Sequence, residues 1–432
     1  MATLKAVRGT RDLLPPETAL WNRIEATARQ VFARYNFGEI RTPVFEDTAL
    51  FARSVGEETD IVSKEMYTWE DRARAQSEKT QSLTLRPENT AGVVRAYIEH
   101  GLGESGQLQK LYYIGPQFRR ERPQKGRYRQ FWQIGAEVIG PPSSGSESPL
   151  RDAEVLEMLA TLLEELGITG WTLELNSVGS AADRARYNDV LRAALIDVAP
   201  KMCGDCQRRA VTNPLRVLDC KVPEDQPIIE KLPKIGDSLG EDSKTHFAAV
   251  LAALDATGVP CKLNQRLVRG LDYYTRTTFE FTHGGLGAQN ALLGGGRYDG
   301  LSEAIGGPKA PGIGFAMGLD RLVLTLQATE HDRGAAAAAP TKVDAYIAPI
   351  GESLNAAALV LARELRKAGL RVELGEGSFR LKKSFEAADK VARSIVILGE
   401  DEHRSGILTV KDFSTGVQSK VARSELAAML AK

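Results

Sequence analysis

Between Tyr112 and Ile139 apolar and polar side chains alternate along two stretches separated by a basic one, which predicts two strands joined by a loop. Along the second strand Trp132, Ile134, Ala136 and Val138 share one face. Phe131, Gln133, Gly135 and Glu137 share the other, because side chains alternate across a strand. On the first strand Tyr112, Ile114, Pro116 and Phe118 oppose Tyr113, Gly115, Gln117 and Arg119. Pairing the apolar faces brings Arg119, Gln133 and Glu137 together, over glycines that leave room for a small molecule. Periodicity alone leaves a second reading open, an ordinary hairpin with a solvated tip.

Elsewhere the spacing changes from two to 3.6. Leu20, Ile24, Ala28, Val31 and Tyr35 predict a helix over 17–36, introduced by Pro15 and Pro16. EIRTPVFEDTALF reads as a strand broken at Pro43 and running into a helix near Thr48; such a sheet edge is either an oligomer interface or covered by the chain itself. Two short strands, Met66–Trp69 and Ser82–Arg86, flank the charged excursion EDRARAQSEK. In LRPENTAG a strand gives way to a helix, so Glu88, Asn89 and Thr90 either present polar atoms to a ligand or form a plain N-cap.

A helix over 153–166 and the strand WTLELNSVG follow. From about 181 to 262 helical patterns dominate, as in an insertion within a larger domain. The sheet resumes in LVRGLDYYTRTTFEFTH, where alternation sets Asp272, Tyr274, Arg276, Thr278 and Glu280 opposite Tyr273, Thr275, Thr277, Phe279 and Phe281. GGGRYDGL and the glycine-rich strand GIGFAMG, leading into a helix with Arg321, close the region. RGAAAAAPTK over 333–342 is a low-complexity linker, and the β and α patterns beyond it predict a small open sheet. The expected domains are thus 1–332, with the insertion at about 181–262, and 343–432.

Composition narrows the chemistry. With 56 basic and 56 acidic residues in 432, overall charge predicts neither nucleic-acid nor membrane binding. Positive charge is local: Arg119, Arg120, Arg122, Lys125, Arg127 and Arg129 face Glu121 alone in the hairpin loop, which suits phosphate. No apolar run approaches the roughly 20 residues of a membrane span, and the start has no signal-peptide core, so a cytoplasmic protein is expected. The cysteines are Cys203, Cys206, Cys220 and Cys261. CGDC is half of a zinc site, but no second closely spaced pair follows, so reduced thiols are expected and zinc is not. GIGFAMG fits neither the dinucleotide fingerprint nor the P-loop spacing.

Taken in order, LTLRPENTAG, YIGPQFRRERPQKGRYRQFWQIGAEV, LVRGLDYYTRTTFEF and GGGRYDG with GFAMGLDRL closely resemble the histidyl-tRNA synthetases, a class II aminoacyl-tRNA synthetase family, over essentially the whole chain. The hairpin resembles class II motif 2, GFAMGLDRL motif 3 and the Pro43 segment the motif 1 of the dimer interface; RGLDYY is similar to the signature peculiar to the histidine enzymes. The implied fold is α+β: a class II antiparallel sheet with helices, a helical insertion, and a C-terminal α/β anticodon-binding domain. The implied activity joins histidine to AMP at the expense of ATP and then passes it to the 3′ end of tRNA(His). Mg²⁺ is expected with ATP, and a homodimer as the assembly.

The resemblance also implies roles. Arg119 and Arg269 would hold the α-phosphate, Arg269 supplying charge that other class II enzymes partly take from a metal. Arg127 and Arg321 would bind the outer phosphates, and Phe131 would stack on adenine. Glu88, Thr90 and Gln133 would receive the α-amino group, Glu137 and Tyr274 the imidazole nitrogens, and Gln124 the acceptor end of the tRNA. Where the family usually has PEGT this chain has Glu88-Asn89-Thr90; asparagine tolerates a left-handed backbone, so little effect is expected. The main alternative is a non-catalytic, histidine-sensing paralogue that regulates histidine biosynthesis, which is expected to lack the Arg269 motif and the C-terminal domain. A synthetase for another amino acid is disfavoured by Glu137 and RGLDYY.

Overall fold

The computed structural model describes residues 3–56, 59–71, 80–124, 126–286, 290–332 and 342–431. Lys125, most of the charged excursion (72–79) and the linker over 333–341 lie outside the described residues. The chain divides into two units, Met1–Ala335 and Ala336–Lys432.

Numbered along the chain, the strands of the first unit are β1 (Gly38–Glu39), β2 (Phe45–Asp47), β3 (Tyr67–Asp71), β4 (Gln81–Leu85), β5 (Gln109–Phe118), β6 (Gln130–Ile139), β7 (Trp171–Ser177), β8 (Cys261–Leu263), β9 (Thr275–His283), β10 (Ala291–Arg297) and β11 (Gly312–Gly318). An eight-stranded sheet runs β1-β5-β6-β11-β10-β9-β7-β8, and β2-β4-β3 make a small one. The inner neighbours are antiparallel, while the edge strands β1 and β8 run parallel to β5 and β7.

One face of the large sheet is covered because its strands and two long helices offer matching apolar stripes. Ile134, Ala136 and Val138 of β6 are buried in one core with Trp21, Ile24, Ala28, Val31 and Phe32 of the helix Glu17–Arg34 and with Leu156, Leu159 and Leu163 of the helix Pro149–Glu165. Leu20 and Tyr35, expected on the first helix's stripe, pack at its margin. Burying each of the large side chains is worth about 1.5–3 kcal/mol. The covered face leaves the polar face of β5 and β6 for the site.

The insertion consists of the helices Ala181–Leu195, Gly204–Thr212 and Glu241–Thr257, with the single helical turn Gln226–Ile229 and short 3₁₀ turns between them. It has its own core, including Tyr187, Leu191, Leu195, Val217 and Ile235. Its last helix is fixed to the sheet by buried charge. Asp152 accepts hydrogen bonds from His246 Nε2 (2.8 Å), Thr277 Oγ1 (2.6 Å) and Arg297 Nη1 (2.5 Å). Burial alone would raise the Asp152 pKa, yet Arg297 and His246 hold it below the ordinary value. The cysteines lie closer together than their spacing suggests. Cys220 and Asp225 fold back onto the CGDC pair, so that Cys203, Cys206, Cys220 and Asp225 converge, while Cys261 is exposed elsewhere. Sequence spacing misses this because the fourth group is a carboxylate and the turns between the ligands are irregular.

The second unit has β12 (Val343–Pro349), β13 (Val372–Leu374), β14 (Ala392–Leu398), β15 (Ile407–Asp412) and β16 (Gln418–Ala422) in the order β13-β12-β14-β15-β16. The first three strands are parallel and joined through the helices Asn355–Lys367 and Leu381–Val391; β15 and β16 close the sheet as an antiparallel hairpin. Among the described residues no helix is long and apolar enough to cross a membrane.

Candidate active site

The polar face of the hairpin becomes the floor of a cavity because register places its functional side chains in line. Gly115 pairs with Gln133 and Leu111 with Glu137, and β11 lies against β6 with Gly314 opposite Glu137. A cavity of about 230 Å³ opens here. Glu88, Thr90, Arg119, Arg127, Phe131, Gln133, Arg269, Tyr274 and Arg321 all line it, although they come from segments spread over more than half of the chain. Gln124 does not line it. It stands at the tip of the basic loop, where its backbone pairs with that of Arg127.

Glu137 lies beneath the lining. It is fully buried, accepts a hydrogen bond from Thr90 Oγ1 (2.7 Å), and has the Tyr113 hydroxyl at 3.5 Å. Its Oε2 and the neighbouring Tyr298 hydroxyl are buried without a hydrogen-bond partner of normal geometry. Burial pushes its pKa up to about 8, against the opposing pull of Thr90 and Tyr298. A Cβ at Gly314 would stand 1.7 Å from Glu137 Oε2, so only glycine admits the carboxyl at this depth.

Glu88 does two things at once. Its carboxylate accepts the backbone N–H groups of Thr90 (2.7 Å) and Ala91 (3.1 Å), capping the helix Thr90–Glu99, and it also lines the cavity. Burial raises its pKa. Asn89, the departure from the usual glycine, is not left-handed: its φ is −118° and its ψ −13°. Its Oδ1 accepts from Thr42 Oγ1 at 2.7 Å, so a side-chain bond, and no backbone freedom, accounts for the residue.

The cationic wall is held by carboxylates and carbonyls. Arg119 Nε donates to the Pro87 carbonyl (2.8 Å), and its guanidinium lies over the Phe131 ring at 5.3 Å. Glu121 sits 3.2 Å from Arg127 and 3.8 Å from Arg119. Arg269 pairs with Glu280, and Arg321 Nη1 donates to the Ala291 carbonyl at 2.7 Å. The Arg269 guanidinium occupies the space that a side chain at Gly294 would fill.

Two expectations are corrected. The gaps over Gly115 and Gly135 are not open: a Cβ there would meet Arg86 Nη2 at 2.6 Å and the Tyr113 hydroxyl at 2.3 Å. Glycine therefore makes room for protein side chains, and the ligand space lies beyond them. The alternation through Asp272–Phe281 also fails at its start. β9 begins at Thr275, Arg276 has φ +46°, and the pairing with β10 slips between Gly296 and Arg297. Tyr273 and Tyr274 consequently both line the cavity, with ring centroids 4.7 Å apart. Glu121, Tyr273, Tyr298 and Asp320 are lining residues without a sequence assignment. Glu121 had a signal, being the only acidic residue among six basic ones.

An antiparallel sheet carrying this hairpin, these arginines and a separate α/β unit defines a class II aminoacyl-tRNA synthetase. Over its full length the chain matches an apo histidyl-tRNA synthetase structure from S. aureus, with TM-score 0.80, 36% identity and 100% coverage of both chains. The histidyl-tRNA synthetase family model matches residues 9–322, and the anticodon binding domain model residues 344–432. Histidine–tRNA ligase of Koribacter versatilis is 74% identical over 98% of this chain and 95% of that protein. The one from Solibacter usitatus is 55% identical over 99% of both. The chain belongs to the histidyl-tRNA synthetase family. It is an ATP-dependent aminoacyl-tRNA ligase, and these identities support the catalytic enzyme over the regulatory paralogue.

Proposed function

We propose that this cavity seats histidine on Thr90, Gln133, Glu137 and Tyr274 and the ATP phosphates on Arg119, Arg127, Arg269 and Arg321. The observation that carries the reading is a cationic wall facing buried polar atoms without partners, Gln133 Oε1, Glu137 Oε2 and Arg269 Nε. Thr90 already donates its hydroxyl proton to Glu137, so its oxygen is left to accept from an α-amino group, beside the Glu88 carboxylate. Glu137 and Tyr274 face the two imidazole nitrogens, and an apolar side chain of the same shape leaves both unsatisfied.

In the first step a histidine carboxylate oxygen bonds to the α-phosphorus while the bond to pyrophosphate breaks. In the second a ribose hydroxyl at the tRNA 3′ end attacks the histidyl carbonyl and AMP leaves. Both steps move negative charge, so guanidinium groups fixed in advance by Pro87 and Glu280 lower the barrier by positioning and by field. ATP enters as its magnesium complex. The ion would supply positive charge to the outer phosphates beside Arg127 and Arg321, while Glu121, Glu280 and Asp320 each face an arginine.

Gln124 and the basic tip receive the acceptor end, and the chain acts as a cytoplasmic homodimer. The exposure of Val44, Phe45 and Trp69, with Phe45 and Trp69 rings 6.0 Å apart, supports an apolar contact around Pro43. The test of the seat is histidine-dependent exchange of pyrophosphate into ATP. Exchange with histidine and not with threonine, proline or glycine is expected; no exchange with histidine refutes the reading.

A further inference from the structure

The insertion holds a constellation that this chemistry does not use. Cys203, Cys206, Cys220 and Asp225 each bring a ligand atom to within 4.8 Å of the others. Cys203 Sγ lies 3.9 Å from Cys220 Sγ, and Cys220 Sγ 3.2 Å from Asp225 Oδ2. Around a tetrahedral zinc, with bonds of about 2.3 Å to sulfur and about 2.1 Å to oxygen, neighbouring ligands stand about 3.5–3.8 Å apart. Cys206, Cys220 and Asp225 are buried and Cys203 is half-buried.

The local backbone is arranged to hold such ligands. Cys203 precedes the helix Gly204–Thr212, and Cys206 lies in its first turn. Cys220 follows the 3₁₀ turn Pro214–Asp219, and Asp225 ends the turn Pro223–Asp225. Three irregular segments thus meet at one point. The Asp225 carboxylate accepts the Cys203 backbone N–H at 3.1 and 3.2 Å, and the Val222 N–H points at Cys220 Sγ at 3.4 Å. Gln226 Nε2 ties the Cys220 and Val222 carbonyls at 2.8 and 3.0 Å. Such outer bonds orient metal ligands. A Cys203–Cys220 disulfide would leave Cys206 and Asp225 without a function in the same cluster.

We propose that the insertion carries a structural site for a thiophilic divalent cation, zinc above all, held by Cys203, Cys206, Cys220 and Asp225. Four protein ligands close the coordination shell, which marks a structural and not a catalytic ion, and three thiolates select zinc over magnesium or calcium. On binding, each thiol gives its proton to solvent. The site also reaches the active centre. From the segments that it staples, Arg209 contacts Asp60 at 3.2 Å, Asn213 Nδ2 donates to Asp272 Oδ1 at 3.0 Å, and Arg216 Nη1 donates to the Arg269 carbonyl at 3.1 Å. The metal therefore steadies the loop that presents Arg269, a consequence that rests on the role given to Arg269 above, whereas metal binding itself does not.

The experiment uses the full chain, purified without chelator, with zinc counted by plasma mass spectrometry and thiols by titration. About one zinc per chain is expected to survive dialysis. Cobalt added to the stripped, reduced chain is expected to give thiolate charge-transfer absorption with the intense bands of a tetrahedral ion. Cys203→Ser, at the half-buried ligand, lowers zinc affinity by more than about 100-fold, beyond the loss of an outer-shell partner, while Cys261→Ser leaves it unchanged. A fully reduced chain that neither retains zinc nor gives the cobalt thiolate bands overturns the proposal, and so does equal loss in Cys261→Ser. The cobalt spectrum of the unsubstituted chain decides even if Cys203→Ser misfolds. Stripping the metal should also lower kcat for histidine activation more than it raises the histidine KM; unchanged kinetics with a proven site refute the link to Arg269 alone.

Discussion

Replacing Glu137 with glutamine keeps the side chain's shape and removes its titration. In the folded chain the carboxyl is fully buried and its pKa is pushed up to about 8 by burial, from an ordinary 4.5. The folded state binds this proton more tightly than the unfolded one. The group's contribution to stability is therefore complete below about pH 4.5 and is lost as pH rises through about 8. At about 1.4 kcal/mol per pKa unit the loss is on the order of 5 kcal/mol. Glu137→Gln escapes it, so the variant's melting temperature minus that of the unsubstituted chain, both without histidine, should climb by several degrees from about pH 5 to about pH 8. With histidine the sign reverses. In the proposed seat the imidazole would meet Oε2, which has no hydrogen-bond partner of normal geometry in the chain, and an amide would offer that site a fixed polarity. Losing a hydrogen bond to a charged group costs about 1.5–3 kcal/mol, so the histidine KM in pyrophosphate exchange should rise by about 10- to 150-fold, with kcat changing less. A melting difference that does not vary with pH refutes the buried, proton-holding carboxyl, and an unaltered KM removes Glu137 from the histidine seat.

Arg269→Ala should cut the activation rate by orders of magnitude while histidine binding changes less; equal losses in both would make Arg269 a residue of the fold only. Asp152→Ala leaves the buried Arg297 with Asp299 as its remaining carboxylate and strips His246 and Thr277 of their shared acceptor, so it is expected to cost up to about 3–5 kcal/mol and to lower the melting temperature by several degrees; an unchanged melting curve would contradict the buried network. Residues 342–432, which have their own apolar core, should fold when expressed alone, and a fragment without cooperative melting would contradict that independence.

Much of this was legible in the sequence because it rests on periods. The two-residue period of Tyr112–Phe118 and Phe131–Val138 places Gln133, Glu137 and Arg119 on one face, and the 3.6 period around Ile24 and Val31 places a helix beneath the opposite one. Distant segments are different. No local pattern says that Arg269 packs over Gly294 or that Arg86 fills the space over Gly115; such pairings exist only once the strands are in register. The bulge at Arg276 shows the same limit, since a positive φ in a non-glycine residue breaks an alternation that the residue types continue. The cysteine cluster was hidden for a third reason: its ligands are gathered by 3₁₀ turns, which have no hydrophobic period to read.

The central claim is that one cavity holds histidine against Glu137 and Tyr274 and the α-phosphate between Arg119 and Arg269. A crystal structure with histidine and a non-hydrolysable ATP analogue tests it most directly. The imidazole nitrogens should lie within hydrogen-bond distance of the Glu137 carboxyl and the Tyr274 hydroxyl, with the α-phosphate on the two guanidinium groups. An imidazole bound away from Glu137, or an α-phosphate that leaves Arg269 on Glu280, would contradict the account.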